Sequence, residues 1–210
     1  MSLKNQAAKL LCLTVTIIMV LATLAVPCFA DKARDASDSV VMIYEQFEYL
    51  DEEGNLCSGA ALGSGFAIGV PGKPVQYVVT NFHVVREAYE LDGIVQVYFS
   101  AAANRYVQAE IYWHSDEATD LAILRLPEPT TEREALVLCP MSEVDIDDDF
   151  AALGYPSAAM NGNDFPKYDV SDISMTRGGI SKLTRVEETD CYLLDLEINE
   201  GNSGGPLVNS

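Results

Sequence analysis

Gly201-Asn202-Ser203-Gly204-Gly205-Pro206 sets one serine among small, backbone-bending residues. A serine hydroxyl holds its proton too tightly to attack a carbonyl at neutral pH. It needs a base beside it and N–H donors aimed at the developing oxyanion. Glycines let the chain turn sharply and bring such N–H groups close to a bound molecule. The same residue types also make ordinary loops, so the hexapeptide gains meaning only from partners upstream. In Thr80-Asn81-Phe82-His83-Val84-Val85, a histidine follows the apolar run Tyr77-Val78-Val79, as a base held at a strand end would. The chain has two histidines, so the base is His83 or His114. His114 lies in the polar stretch His114-Ser115-Asp116-Glu117 and reads as a solvated loop residue. Asp120 opens the apolar run Leu121 to Leu126. It either caps that strand or is the carboxylate that fixes the tautomer of an imidazole.

The order His83, Asp120, Ser203 is that of the chymotrypsin-like peptidases rather than of subtilisins or α/β-hydrolases. Six stretches stand in order along the chain: Gly63-Ser64-Gly65-Phe66, Thr80 to Val85, Asp120 to Leu124, Leu153-Gly154-Tyr155-Pro156, Thr176-Arg177-Gly178-Gly179-Ile180-Ser181 and Glu197 to Leu207. With them, the chain from about Ser39 to its last residue resembles the trypsin-like peptidases of the HtrA/Deg group. The resemblance implies that Ser203 is the nucleophile, His83 the general base and acid, and Asp120 the residue that orients His83. It also implies an oxyanion hole made by the backbone N–H groups of Gly201 and Ser203, and no metal or cofactor. Asn202 departs from digestive-type relatives, which carry an acid there to pair with a newly cut N-terminus. An amide cannot make that ion pair, so no such activating cleavage is expected.

The residues before the serine, Asp195 to Glu200, would line the primary specificity pocket in such a fold. Glu197 stands where trypsins place the acid that receives Lys or Arg. HtrA relatives usually have a small neutral residue there, which leaves Ile198 as the apolar wall. Strand alternation puts Leu196 and Ile198 on one face and Glu197 on the other. A preference for aliphatic over basic side chains is therefore expected.

Short β-branched or aromatic runs, separated by Gly, Asp, Asn and Pro, predict strands at 40–44, 66–70, 76–80, 94–99, 107–113 and 121–126. Pro127-Glu128-Pro129 interrupts the series and opens a linker, because proline cannot donate to a sheet ladder. Further strands are predicted at 150–153, 170–174, 179–183 and 191–198. Periodicity alone supports an all-β protein. The resemblance implies two Greek-key barrels of the trypsin fold: 39–126 with His83 and Asp120, a linker at 127–136, and 137–210 with Ser203. Relatives continue through strands that close the second barrel, so this second barrel is expected to be incomplete, with any PDZ-type domain outside the sequence.

Residues 1–30 belong to targeting rather than fold. Lys4 and Lys9 precede an uncharged apolar run from Leu10 to Val26, which Pro27-Cys28-Phe29-Ala30 ends with small residues at the positions a signal peptidase reads. Cleavage after Ala30 is expected; the alternative is a retained membrane anchor, with residues 31–38 a short leader in either case. Those thirty residues hold two lysines and no acid, so their removal takes the net charge from −19 to −21. So acidic a chain argues against nucleic acid and against anionic membrane surfaces as partners. Asp145-Ile146-Asp147-Asp148-Asp149 lacks calcium-loop spacing and reads as a solvated acidic turn. Cys57, Cys139 and Cys191 follow the leader; an odd count leaves a thiol over, and Cys139 with Cys191 is the pair left open.

The expected function is an exported serine endopeptidase acting on proteins or peptides, secreted or at the cell surface, with homo-oligomers possible. A binding or chaperone-like module on the same scaffold is the alternative from another class. An esterase using the same chemistry is a third reading.

Overall fold

The computed structural model describes residues 35–100, 104–146, 148–156, 173–186 and 189–209. The leader expected at residues 1–30 lies outside them. Among the described residues no helix is long and apolar enough to cross a membrane.

Strand β1 (Val40–Leu50) pairs along its whole length with β2 (Leu56–Ile68), from Val40 opposite Phe66 to Leu50 opposite Leu56. The turn between them is tied by Asp51, whose Oδ1 accepts the N–H groups of Glu53 at 3.0 Å and Asn55 at 2.8 Å. Gly54 completes it at φ +84°, a left-handed value that glycine adopts without steric cost. Most of β2, from Leu56 to Gly65, was not among the expected strands, because its small residues carry no hydrophobic alternation. Space explains the small residues: a Cβ on Gly63 would lie 2.5 Å from Val84 Cγ1.

After β2 come β3 (Val75–Thr80), the helix α1 (Arg86–Glu90), β4 (Ile94–Ser100), β5 (Arg105–His114) and β6 (Ala122–Thr130). The six strands close into a barrel in the order β1-β2-β3-β6-β5-β4. Val41, Ile43, Val78, Val95, Val97 and Leu124 fill its interior with Phe82 and Val84. A fully buried aliphatic side chain of this kind contributes about 1.5–3 kcal/mol.

The sequence places the end of the first barrel at Leu126, yet β6 runs on to Thr130. Tyr77 pairs with Arg125 and Val75 with Thr130, so the irregularity between them puts 126–129 opposite Gln76 alone. Pro127 and Pro129 fall in this bulge, where the ladder requires no N–H from them.

The second unit of structure is a sheet of β7 (Asp149–Gly154), β8 (Ser174–Val186), β9 (Thr189–Asp195) and β10 (Leu207–Asn209), in the order β10-β7-β8-β9. The closed barrel and this partial second sheet form an all-β fold of the chymotrypsin-like double-barrel kind. Ser174 and Gly179–Leu183, expected in separate strands, belong to one long β8 that shifts register between Ile180 and Lys182; residues 170–172 lie outside the described set.

The two halves meet over β1, in which Val40, Val41, Met42 and Ile43 are all buried. Val41 and Ile43 point into the barrel, whereas Val40 and Met42 pack with Leu153 and Tyr155 of the second sheet and the residue after it. A strand covered on both faces loses the polar alternation of a half-exposed one. Arg133, in the connection between the halves, is 7% exposed. Its Nε donates to Val40 O at 2.9 Å, Nη1 donates to Glu132 O at 2.8 Å, and Nη2 donates to Phe99 O.

Candidate active site

The hydrogen-bonded ladder of β3 ends at Thr80, and Asn81 remains extended at φ −74° and ψ 148°. Phe82 and Val84 are both buried, and these two anchors hold the short 3-10 turn Phe82–Val84 between them. His83, the middle residue, is thereby pushed outward, with 47% of its side chain exposed.

Asp120 arrives from a loop with its own internal ties. Ser115 N–H donates to Leu121 O, and Leu121 N–H donates to Ser115 Oγ, both at 2.8 Å. Asp116 Oδ1 accepts the Thr119 N–H at 2.9 Å, and Asp116 O accepts the Asp120 N–H at 2.9 Å. That closure leaves Asp120 at φ +51°, a left-handed conformation that aspartate tolerates better than most residues.

From there both carboxylate oxygens of Asp120 face His83: Oδ1 accepts its backbone N–H at 2.8 Å, and Oδ2 lies 2.6 Å from its Nδ1. Asn81 Nδ2 donates to Asp120 O at 2.8 Å, which locks the loop to the β3 end. A carboxylate can only accept, so Nδ1 carries the proton and Nε2 of the neutral ring is left as a free base.

Ser203 lies in a loop held by a different set of contacts. Asn202 N–H donates to Asn199 O at 3.1 Å, closing a turn in which Gly201 has φ +93°. A turn with positive φ at its third position strongly favours glycine. Among the described residues, neither the Gly201 nor the Ser203 N–H donates to another protein group.

The loop is seated on the first barrel through Ser64, which is fully buried. Ser64 N–H donates to Ser203 O at 2.8 Å, and Ser64 Oγ donates to Gly201 O at 2.7 Å. Thr80 Oγ1 donates to Ser64 O at 2.7 Å. Gly204, at φ +83°, fits so tightly that a Cβ would stand 2.2 Å from Ser64 O and 3.0 Å from Asn81 N. The Ser203 loop therefore touches the segment that ends in His83. Among the described residues, no hydrogen bond joins Ser203 Oγ to His83 in this arrangement.

His114 differs from its sequence reading. It is the last residue of β5, stacked on Phe82 at 4.2 Å and 9°, with Tyr89 edge-on at 4.4 Å. It packs behind the His83 turn rather than standing in solvent. Asn202 is buried, and its Oδ1 accepts from Ser174 Oγ at 3.1 Å, while its Nδ2 meets no acceptor among the described residues. Glu197 and Ile198 both lie beyond the end of β9 and both are exposed, so strand alternation does not separate them. Cys57 and Cys139 are thiols, and no disulfide links either to Cys191.

The model of the trypsin-like peptidase domain matches residues 63–210. The chain belongs to that family. Its relatives identify the HtrA/Deg type within it. The magnetosome formation protease MamE of Paramagnetospirillum magneticum is 34% identical over 155 residues, covering 71% of this chain and 18% of MamE. A probable periplasmic serine endoprotease, DegP-like, of Halomonas elongata is 32% identical over 153 residues, covering 71% of this chain and 27% of the relative. The chain thus spans under a third of the length of these curated relatives. In fold, it matches the crystal structure of Deg5 with a TM-score of 0.60 at 24% identity, over 85% of this chain and 80% of that one.

Sequence reading assigned this trypsin-like chain its reactive residues but gave no role to Ser64, Gly154 or Tyr155. All three stand in stretches that carried the family resemblance, and that was the available signal.

Proposed function

We propose that the chain is a serine endopeptidase domain that hydrolyses peptide bonds through an acyl-enzyme formed on Ser203. The observation that carries this reading is the pair of Asp120 oxygens on His83, which leaves Nε2 as a base on the side away from the carboxylate. In the first step His83 Nε2 takes the Ser203 proton as Oγ attacks the carbonyl carbon, and the Gly201 and Ser203 N–H groups receive the oxyanion. The tetrahedral species collapses, the C–N bond breaks, and the His83 proton passes to the leaving amine. Water then enters, gives its proton to Nε2 and attacks the ester carbon; the C–Oγ bond breaks, Nε2 returns the proton to Ser203 Oγ, and the acid is released. Asp120 holds the tautomer throughout and stabilises the imidazolium.

The lack of a hydrogen bond between Ser203 Oγ and His83 is compatible with this chemistry, since catalytic hydrogen bonds often tighten only when substrate is bound. The substrates are protein or peptide chains, and the site of action is outside the cytoplasm, in keeping with a relative named as periplasmic. Glu197 and Ile198 are the candidates for reading the residue before the cut bond, with aliphatic side chains preferred.

The test is covalent labelling of the full-length protein with a fluorophosphonate. Labelling that is lost in Ser203→Ala and in His83→Ala supports the reading. An unlabelled wild-type protein that still suppresses client aggregation would transfer the assignment to a binding module on this scaffold.

A further inference from the structure

The geometry points to Ser64 as a positioning residue for the oxyanion hole. The inference rests on the reading of the Gly201 and Ser203 N–H groups as the oxyanion donors. Ser64 has no chemistry of its own to perform: it is fully buried in β2, on the other barrel from Ser203. Yet four hydrogen bonds converge on it. The β2–β3 ladder stops at Phe66 opposite Val79, so the outward edge of Ser64 is released from strand pairing. Its N–H goes to Ser203 O and its C=O receives Thr80 Oγ1, three residues before His83. The hydroxyl accepts the Tyr155 N–H at 2.8 Å and donates its only proton to Gly201 O at 2.7 Å.

The direction of that proton matters. The Tyr155 N–H can only donate, so it forces the Ser64 hydroxyl hydrogen toward Gly201 O. This fixes the peptide between Gly201 and Asn202. The other contact, Ser64 N–H to Ser203 O, fixes the peptide that follows the nucleophile. The two N–H groups that must face one oxygen are therefore flanked by carbonyls that Ser64 holds from behind. Oxyanion donors act through preorganisation, with no reorientation at the moment of reaction. With the Ser64 hydroxyl gone, the peptide between Gly201 and Asn202 keeps only the 3.1 Å bond from the Asn202 N–H to Asn199 O, and the Gly201 N–H, one peptide earlier, is less firmly aimed.

The test compares wild type, Ser64→Ala and Ser64→Cys in the full-length protein. It measures the rate constant for inactivation by a fluorophosphonate, melting temperature, and the downfield NMR resonance of the His83 Nδ1 proton. The phosphonyl oxygen enters the oxyanion site in the transition state, so the expected result is inactivation slowed 10–100-fold in Ser64→Ala, the range below the loss of a whole donor. The His83 resonance stays in place and the protein remains folded. Ser64→Cys, which fills the same space with a weak donor, falls between and takes over the test if Ser64→Ala does not fold. Inactivation within twofold of wild type in a folded variant overturns the inference, as does a slow variant whose His83 resonance is lost. A wild-type protein that is not inactivated at all overturns the peptidase reading itself, and this inference with it.

Discussion

Gly154 faces Asn202 at a separation that leaves no room for a side chain: a Cβ on Gly154 would lie 2.9 Å from Asn202 Cα and 2.9 Å from Ser64 Oγ. The residue that ends β7 thus packs against both the Ser203 loop and Ser64. Gly154→Ala must displace backbone, which in a well-packed interior costs about 1–3 kcal/mol. The expected outcome is a lower melting temperature together with fluorophosphonate labelling slowed at least tenfold. Wild-type labelling in the alanine variant would show that this contact does not matter to the loop.

Asp120→Asn retains the size of the side chain but gives it a donor. The amide can satisfy the His83 N–H through its oxygen, yet its NH2 group then faces Nδ1 and selects the wrong tautomer, with Nε2 protonated. A fall in kcat by about three to four orders of magnitude is expected, with melting temperature little changed. Steady-state kinetics on a peptide substrate, alongside thermal unfolding, measure the two effects separately.

Arg133 is a structural tie rather than a surface charge. Burial lowers its pKa, against the opposing effect of the Tyr155 hydroxyl, and three carbonyls accept hydrogen bonds from its N–H groups. Arg133→Met fills similar volume but leaves the Val40 and Phe99 carbonyls without these donors. A stability loss of about 2–5 kcal/mol is expected from urea unfolding. A loss under 0.5 kcal/mol would mean that these carbonyls are satisfied in other ways.

Glu45 supplies a pH-dependent term. It is buried in β1, and Oε2 accepts the Ala88 N–H of α1 at 2.9 Å. Burial raises its pKa above the ordinary carboxylate value, outweighing the bond from Ala88 and the nearby positive groups. The folded state thus holds the proton more tightly than the unfolded chain. This contribution to stability is complete below the unfolded pKa and is lost as pH rises through the folded one. Glu45→Gln keeps a side-chain oxygen for the Ala88 N–H and does not titrate. Its stability relative to wild type should therefore increase from pH 4 to pH 7, as followed by denaturant unfolding at each pH. A difference that is flat, or that falls with pH, refutes the assignment.

The candidate reactive residues could be picked out in the sequence because each sits in a local pattern that physics restricts. His83 follows a β-branched run, Asp120 opens another, and Ser203 is flanked by glycines that its loop requires at φ +93° and +83°. The all-β class was legible for a similar reason, since β3 to β6 carry enough large apolar residues to show a strand's composition. Most of β2 was not, because its glycines answer to Val84 and to other side chains distant in sequence.

The extent of β6 was also hidden. A proline is a fault in a ladder only where an N–H is required, and the bulge opposite Gln76 removes that requirement. His114 looked solvated because its sequence neighbours are polar, whereas its ring is covered by Phe82 and Tyr89 from other elements. Local sequence determined which residues are chemically able to act. Tertiary structure alone decided that Asp120 reaches His83 with both oxygens and that the Ser64 hydroxyl bonds Gly201 O in the Ser203 loop, because those contacts join segments 37 and 137 residues apart.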